Sequence, residues 1–289
     1  MPLTLSQIRT QMKKELIPLY GEAETLQMIR MLFEQYCGIS GAKLILKQNE
    51  YLPVDQYNLM MEANSALKNN IPVQYIIGSA WFADLRFEVN PSVLIPRPET
   101  EEMVNLILTD ANRLLKNDDF RLIDIGSGSG CIAVALKKSL PGWKVEACDI
   151  SAEALQVAQR NATQAGADVH FFKADILRWN EWAESGLYDI IVSNPPYICE
   201  QEKSQMKPNV LQHEPSLALF VPDDDPLLFY RSIAEFASLR LKKNGKLYLE
   251  INESFGPEII DLLNMQGFKD IGVRKDIREK NRFALARKV

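Results

Sequence analysis

Apolar residues recur at helical spacing through the first quarter of the chain and then switch to alternation. Leu5, Ile8, Met12 and Leu16 fall on one face of a helix. Leu26, Ile29, Leu32 and Phe33 do the same on a second helix that ends near Gly38. A short apolar segment, Leu44-Ile45-Leu46, follows, and Pro53 opens a further helix bearing Tyr57, Met60, Met61 and Leu67. These stripes predict the core of a small helical bundle over residues 1–72. From Pro72 the period becomes two. Gln74-Tyr75-Ile76-Ile77, then Gly78-Ser79, then Leu85, Phe87 and Val89 at alternate positions, predict a β-hairpin. It would link, over residues 73–91, to a second domain at 92–289.

That second domain alternates strand and helix. Strands are expected at Arg121–Ile125, Lys144–Cys148, Val169–Lys173, Asp189–Ser193 and Lys246–Ile251. Helices are expected at Glu99–Leu115, Cys131–Ser139, Ala152–Ala165 and Pro226–Leu241. Such alternation predicts an α/β domain with a doubly wound, mostly parallel sheet. The tail, Phe268–Arg274 and Arg282–Arg287 around a charged turn, reads as an antiparallel pair closing one edge.

Composition narrows the function classes. A net charge of −5 over 289 residues argues against a broad nucleic-acid-binding face. No apolar run approaches the ~20 residues that span a bilayer, and Met1-Pro2-Leu3-Thr4-Leu5-Ser6 lacks a basic start followed by an apolar stretch. No membrane association is expected, and the expected location is cytoplasmic. Cys37, Cys131, Cys148 and Cys199 form no C-x-x-C pair, and the histidines are His170 and His213 alone. No metal site is expected, and a Ser-His-Asp triad only if His213 serves it.

The chemistry-bearing residues cluster at predicted strand ends. Tyr188-Asp189-Ile190-Ile191-Val192-Ser193 reads as a buried strand, and Asn194-Pro195-Pro196-Tyr197 ends it abruptly because neither proline can donate to a ladder. Asn194 is left at the carboxyl end of a strand, where open α/β sheets place their ligands. Its carboxamide can accept from a planar NH2 group, flanking carbonyls can take the second proton, and the Tyr197 ring can pack on a flat amide or base.

A glycine loop, Asp124-Ile125-Gly126-Ser127-Gly128-Ser129-Gly130, follows the first strand. It departs from the dinucleotide pattern, since the third glycine comes one step early and Cys131 holds its place. A Walker Gly-Lys-Ser/Thr is absent, and Asp124 would repel a pyrophosphate but suits a cationic or amino-bearing ligand. Asp149, at the next strand end, has two readings: acceptor for ribose hydroxyls, or N-cap of the helix after Ser151. Asp175 likewise suits an adenine amine or a loop cap. A loop for ribose, adenine and a cation without phosphate points to S-adenosylmethionine. Arg97 reads either as a surface partner of Glu99 or Glu101 at a helix start, or as part of a site rim. Glu214 is either a loop acid or part of the same rim.

Taken together, Asp124-x-Gly126-x-Gly128-x-Gly130, Asp149 and Asn194-Pro195-Pro196-Tyr197 resemble a class I S-adenosylmethionine-dependent methyltransferase. Three further stretches narrow the resemblance: Pro72-Val73-Gln74-Tyr75-Ile76-Ile77-Gly78, Val93-Leu94-Ile95-Pro96-Arg97-Pro98-Glu99-Thr100-Glu101 and Glu214-Pro215-x-x-Ala218-Leu219. With them the chain resembles, over essentially its whole length, the release-factor glutamine methyltransferases (PrmC/HemK family). The resemblance implies a Rossmann-like methyltransferase domain behind a helical substrate-binding domain and a β-hairpin linker. It implies methylation of the Gly-Gly-Gln glutamine of class I peptide-chain release factors at N5, by a monomer that does not bind nucleic acid directly. By the family pattern Gly126, Ser127, Gly128, Ser129, Gly130 and Asp149, with Asp124, hold the cofactor. Asp175 and Ile176 lie where adenine is contacted, and Asn194 touches cofactor as well as substrate. Asn194, Pro195, Pro196 and Tyr197 would hold the glutamine amide, with Arg97 and Glu214 at the rim. The competing expectation for the same Asn-Pro-Pro-Tyr motif is an adenine-N6 methyltransferase acting on nucleic acid.

Overall fold

Thr4 accepts from the Gln7 amide and Gln7 answers through the Thr4 amide, a reciprocal cap that starts the first helix. The computed structural model in which this is seen describes residues 3–114, 120–182 and 186–289. Leu115, the last residue of one expected helix, and Met1 and Pro2 lie outside the described residues. The chain divides into two compact units, Met1–Gly78 with Lys207–His213, and Ser79–Met206 with Glu214–Val289.

The first unit contains α1 (Leu5–Tyr20), α2 (Glu22–Cys37), α3 (Gly41–Leu46), α4 (Val54–Lys68) and α5 (Val73–Ile77). The expected stripe of α1 is fully buried, and Ile29, Leu32, Phe33, Met60 and Leu67 join it in one core. Leu26 departs from its stripe: it is 36% exposed at the margin of α2, and Thr25 takes the buried slot beside it. Lys207–His213 completes this unit, with Lys207 2.8 Å from Glu24 and His213 Nε2 3.0 Å from the Asn69 carbonyl. The stretch Gln74–Ile77 is helical, not the alternating strand its period suggested. Pro72 caps α5 at one end, Gly78 closes it at the other with φ +70°, and Val73 and Ile76 pack into the helical core.

The second unit opens with the hairpin one step later, β1 (Ser79–Phe82) and β2 (Leu85–Glu88). Ala83 and Asp84 form a two-residue turn with φ +48° and +59°, the hand that matches strand twist. There follow α6 (Pro98–Leu114), β3 (Arg121–Ile125), α7 (Cys131–Ser139), β4 (Lys144–Asp149), α8 (Ala152–Ala165) and β5 (Val169–Lys173). A single 3-10 turn then leads to α9 (Trp179–Trp182), β6 (Tyr188–Ser193), β7 (Ile198–Cys199) and α10 (Pro208–His213), the last belonging to the first unit. The chain ends with β8 (Phe220–Val221), α11 (Leu228–Arg240), β9 (Leu241–Glu250), α12 (Gly256–Met265), β10 (Lys269–Lys275) and β11 (Asn281–Arg287). The helix α12 is an addition to the expected elements; Ile259 and Leu263, four apart, are its buried face.

The main sheet runs β10-β11-β9-β6-β3-β4-β5. The strands β9, β6, β3, β4 and β5 are parallel, and β11 is antiparallel to both its neighbours. Alternate side chains feed two cores. Leu122, Ile190, Val192 and Tyr248 meet α6 and α7, whereas Ile123, Ile125, Ile191, Leu247 and Leu249 meet α11 and α12. The result is the expected doubly wound Rossmann-like fold with an antiparallel edge. Among the described residues no helix is long and apolar enough to cross a membrane.

Candidate active site

Strand register brings the predicted residues to one edge of the sheet. Ile125 pairs with Cys148 on one side and with Ser193 on the other, and Ser193 pairs with Leu249. The residues that follow each pair, Gly126, Asp149, Asn194 and Glu250, therefore emerge together. The chain leaves β3 toward β4 and β5 and returns to the opposite side for β6, so this edge is the switch point where such sheets bind ligands.

The glycine loop takes a shape that side chains resist. Gly126, Gly128 and Gly130 have φ of +76°, +53° and +78°. At Gly126 and Gly128 an added Cβ would meet nothing within 4 Å, so the backbone lies open to a ligand. At Gly130 a Cβ would come within 3.0 Å of the Ala158 Cβ and 3.3 Å of its Cα, so this glycine serves helix packing. The buried Asn161 amide holds the loop from behind, donating to the Ser129 carbonyl (2.9 Å) and to the Glu88 carbonyl (3.0 Å) of the hairpin.

Asp149 faces this loop. Its carboxylate accepts from the Gly128 amide at 2.8 Å and the Ser151 amide at 2.9 Å. Burial raises its pKa, and the Ser151 and Gly128 amides partly offset the rise. The N-cap of α8 is Ser151 itself, which accepts from Ala154, so the capping reading of Asp149 gives way to one in which it braces the loop. Asp175 does cap the turn that follows it, accepting from Leu177 at 2.9 Å, and it also borders the cavity with Ile176.

A cavity of about 440 Å³ opens at the switch point, within the range of small-molecule sites. Gly126, Ser127, Gly128, Ser129, Asp149, Asp175, Ile176, Asn194, Pro195, Pro196 and Arg97 line it. The buried Ser127 hydroxyl has no hydrogen-bond partner among the described residues, a polar atom left for a ligand. Open glycine backbone, a carboxylate at the ribose position and mostly apolar walls fit S-adenosylmethionine. Cys131 and Cys148 line the cavity as neutral thiols, since burial pushes Cys131 up to about 12 and raises Cys148 as well. His213, bound within the first unit, contributes nothing here. Among the described residues no group of side chains could hold a metal ion.

Four predicted residues stand behind the cavity surface. Gly130 is one. Glu214, 5% exposed, accepts from Arg97 at 2.5 Å and from the Ile95 amide at 3.3 Å, tying the two rim segments together. Arg97 thus pairs across the fold and not with Glu99 or Glu101. Tyr197 packs its ring into the α11/α12 core and donates its hydroxyl to Glu250 at 3.1 Å. Asn194 Nδ2 donates to Thr100 Oγ1 at 3.2 Å, and Thr100 donates to Glu250 Oε2 at 2.7 Å. Asn252 closes the set, donating to the Tyr197 carbonyl and to Glu202, each at 3.1 Å. No local pattern in the sequence marks Thr100, Asn252 or Asn161. The available signal was Glu250, an acid inside the apolar run Leu247-Tyr248-Leu249-Glu250-Ile251.

Asp124 is the fourth. It shares the α6/α7-facing side of β3 with Leu122, is fully buried beneath the loop, and closes no hydrogen bond with either oxygen among the described residues. Burial pushes its carboxyl from the usual 3.8 up to about 7, with the nearby Ala133 amide offsetting part of the rise and Asp149 adding to it. The folded state then keeps a proton that the unfolded chain loses near pH 4. The associated stability is complete below about pH 4 and is lost as pH rises toward 7. Asp124→Asn, which cannot ionise, is expected to raise the melting temperature by several degrees at pH 8, by less at pH 5 and by least near pH 4. Thermal melts at the three pH values check this; an equal shift at all of them contradicts it.

The PrmC N-terminal domain family matches residues 7–78, and the methyltransferase small domain family matches residues 106–214. A release factor glutamine methyltransferase of Bacteroides thetaiotaomicron is 41% identical over 282 residues, covering 98% of this chain and 99% of its own. Its counterpart in Flavobacterium psychrophilum is 39% identical over 282 residues, covering 97% and 98%. The solved structure of human methyltransferase 10 domain containing protein shares the fold alone, with a TM-score of 0.51 and 18% identity over 71% of this chain and 88% of that one. Matched to such relatives along nearly the whole length of both chains, the chain belongs to the release factor glutamine methyltransferase family.

Proposed function

We propose that the protein methylates the side-chain amide nitrogen, N5, of the glutamine in the Gly-Gly-Gln motif of class I peptide-chain release factors. S-adenosylmethionine is the methyl source and S-adenosylhomocysteine the second product. The observation that carries this reading is Asn194. It lines the cavity at the end of β6, with its NH2 end taken by Thr100 and its carboxamide oxygen left for a ligand. An acceptor beside a cofactor-sized cavity suits a planar NH2 group, and the near full-length relatives carry release factor glutamine methyltransferase as their name.

When bound, S-adenosylmethionine would supply a methyl carbon on a positively charged sulfur, a leaving group able to depart with the bonding pair. The chain's own residues deal with a poor nucleophile, whose lone pair is delocalised into its carbonyl. The Asn194 oxygen and the Pro195 carbonyl accept hydrogen bonds from the two amide N–H groups, and one of those protons leaves to solvent once the methyl group is on the nitrogen. The two acceptors orient the nitrogen and favour the positive charge that grows on it. Tyr197 is not a base in this scheme: burial and Glu250 raise its pKa, so it remains a neutral donor. Gly126 to Ser129, Asp149, Asp175 and Ile176 hold the cofactor, while Gly130 packs the loop on α8 and Asp124 acts from beneath it, neither touching the cofactor. Arg97 and Glu214 shape the rim that admits the glutamine loop.

Residues 1–72, with the short helix α5 (Val73–Ile77) that packs on them, grip the release factor, the hairpin that follows links, and 92–289 carry the chemistry. The enzyme works as a monomer in the cytoplasm and does not bind nucleic acid directly. The test is label transfer from radioactive S-adenosylmethionine to an unmethylated full-length release factor, with an adenine-containing duplex in parallel. Label on the release factor alone is expected; label on the duplex alone would overturn the substrate class in favour of adenine N6.

A further inference from the structure

We propose that Glu250, acting through Thr100, sets which way round the Asn194 carboxamide stands, so that its oxygen and not its NH2 group meets the substrate. Glu250 and Thr100 are then positioning residues for the reaction. The inference rests on the reading of Asn194 as the group that holds the glutamine amide.

A carboxamide is nearly symmetric in shape but opposite in chemistry at its two ends. Turned one way, Asn194 offers an acceptor to the substrate NH2; turned the other, it sets donor against donor. Shape alone does not choose between the two, so hydrogen bonding must. Thr100 makes the choice because its hydroxyl has a single hydrogen. That hydrogen points to Glu250 Oε2 at 2.7 Å. An ionised carboxylate offers no hydrogen in return, so Thr100 faces Asn194 with a lone pair. Only the NH2 end of Asn194 satisfies a lone pair, and Nδ2 stands 3.2 Å away. The carboxamide oxygen is turned from Thr100 by the repulsion of two acceptors.

Glu250 is built to hold this state. It is 2% exposed at the end of β9, next to the strand that Asn194 follows. Its second oxygen takes the Tyr197 hydroxyl at 3.1 Å, so both oxygens act as acceptors; burial raises the pKa of this carboxyl, the Thr100 and Tyr197 hydrogen bonds and the Arg282 charge offset part of the rise, and Glu99 adds to it. Arg282 is itself held by Asp276 at 3.1 Å. A buried carboxylate with these partners, on a β-strand and not on a loop, fixes the polarity of a short relay. The relay runs from β9 through the first turn of α6 to the loop after β6. The adjacent Tyr197, four-residue motif included, is accounted for in the same way: it braces Glu250 while Asn194 meets the substrate.

The test uses the full chain with its release-factor substrate and measures kcat, the KM for each substrate, cofactor Kd and melting temperature. Thr100→Val removes the hydroxyl at nearly constant shape and is expected to lower kcat about tenfold, a loss typical of one hydrogen bond in a charged network. Cofactor Kd should stay within about twofold, and Thr100→Ser should recover kcat to within about threefold. Glu250→Gln is expected to lower kcat by a similar factor; should it fail to fold, Thr100→Val carries the test. In an Asn194→Ala background, Thr100→Val should cost less than about twofold more, because it acts only through Asn194. Parental kcat in Thr100→Val, or the same full loss in the Asn194→Ala background, overturns the inference. Parental turnover in Asn194→Ala itself overturns instead the functional reading on which it rests.

Discussion

Asn194→Ala is expected to lower turnover by about 10²–10³ while changing cofactor affinity far less. The estimate follows from the cost of removing one preorganised group that stabilises charge in a transition state. Here the group is an acceptor and the developing charge is positive, on the amide nitrogen. The effect should fall on kcat, because the interaction strengthens as charge grows and contributes little to ground-state binding. The Pro195 carbonyl remains in the variant and accounts for the residual rate. Steady-state kinetics with a release factor, beside a cofactor titration, separates the two contributions. Near-parental kcat would remove Asn194 from the chemistry, and a loss confined to cofactor Kd would make it a cofactor residue only.

Asp149→Ala should act at the other end of the cavity. Its carboxylate braces the Gly128 and Ser151 amides at 2.8 and 2.9 Å. Removing it frees the loop whose open backbone lines the cavity and, on the proposed reading, removes the acceptor for the ribose hydroxyls. Hydrogen bonds to a charged group typically contribute about 1.5–3 kcal/mol, so cofactor Kd should rise about 10- to 100-fold. At saturating cofactor kcat should recover to within about fivefold, since the amide-holding residues are untouched. Calorimetric titration measures the first effect. An unchanged Kd would leave Asp149 as a loop brace with no part in binding.

Much of this arrangement is legible along the chain, because its punctuation is strong. Prolines after an apolar run mark the end of β6 and isolate Asn194, and glycines needed for positive φ mark the turn after β3. What was hidden is hidden for identifiable reasons. Gln74–Ile77 has only a few apolar residues, too short a run for period to separate strand from helix, and the flanking Pro72 and Gly78 decide it. Asp124 belongs by motif to the cofactor loop. Strand alternation already sets it on the opposite face from Ile123 and Ile125, which is why it is buried and not in the cavity. Thr100 and Glu250 are 150 residues apart, and no local pattern joins them; only the packing of α6 against β9 does. Tyr197 sits within the motif, yet its backbone turn sends the ring inward to Glu250.

The most direct measurement is peptide mass spectrometry of an unmethylated class I release factor after incubation with the protein and S-adenosylmethionine. One added methyl group is expected, on the side-chain nitrogen of the Gly-Gly-Gln glutamine, absent when Asn194→Ala replaces the parent over the same interval. A methyl group on any other residue, or an unmodified release factor beside a cofactor-binding, folded protein, would contradict it.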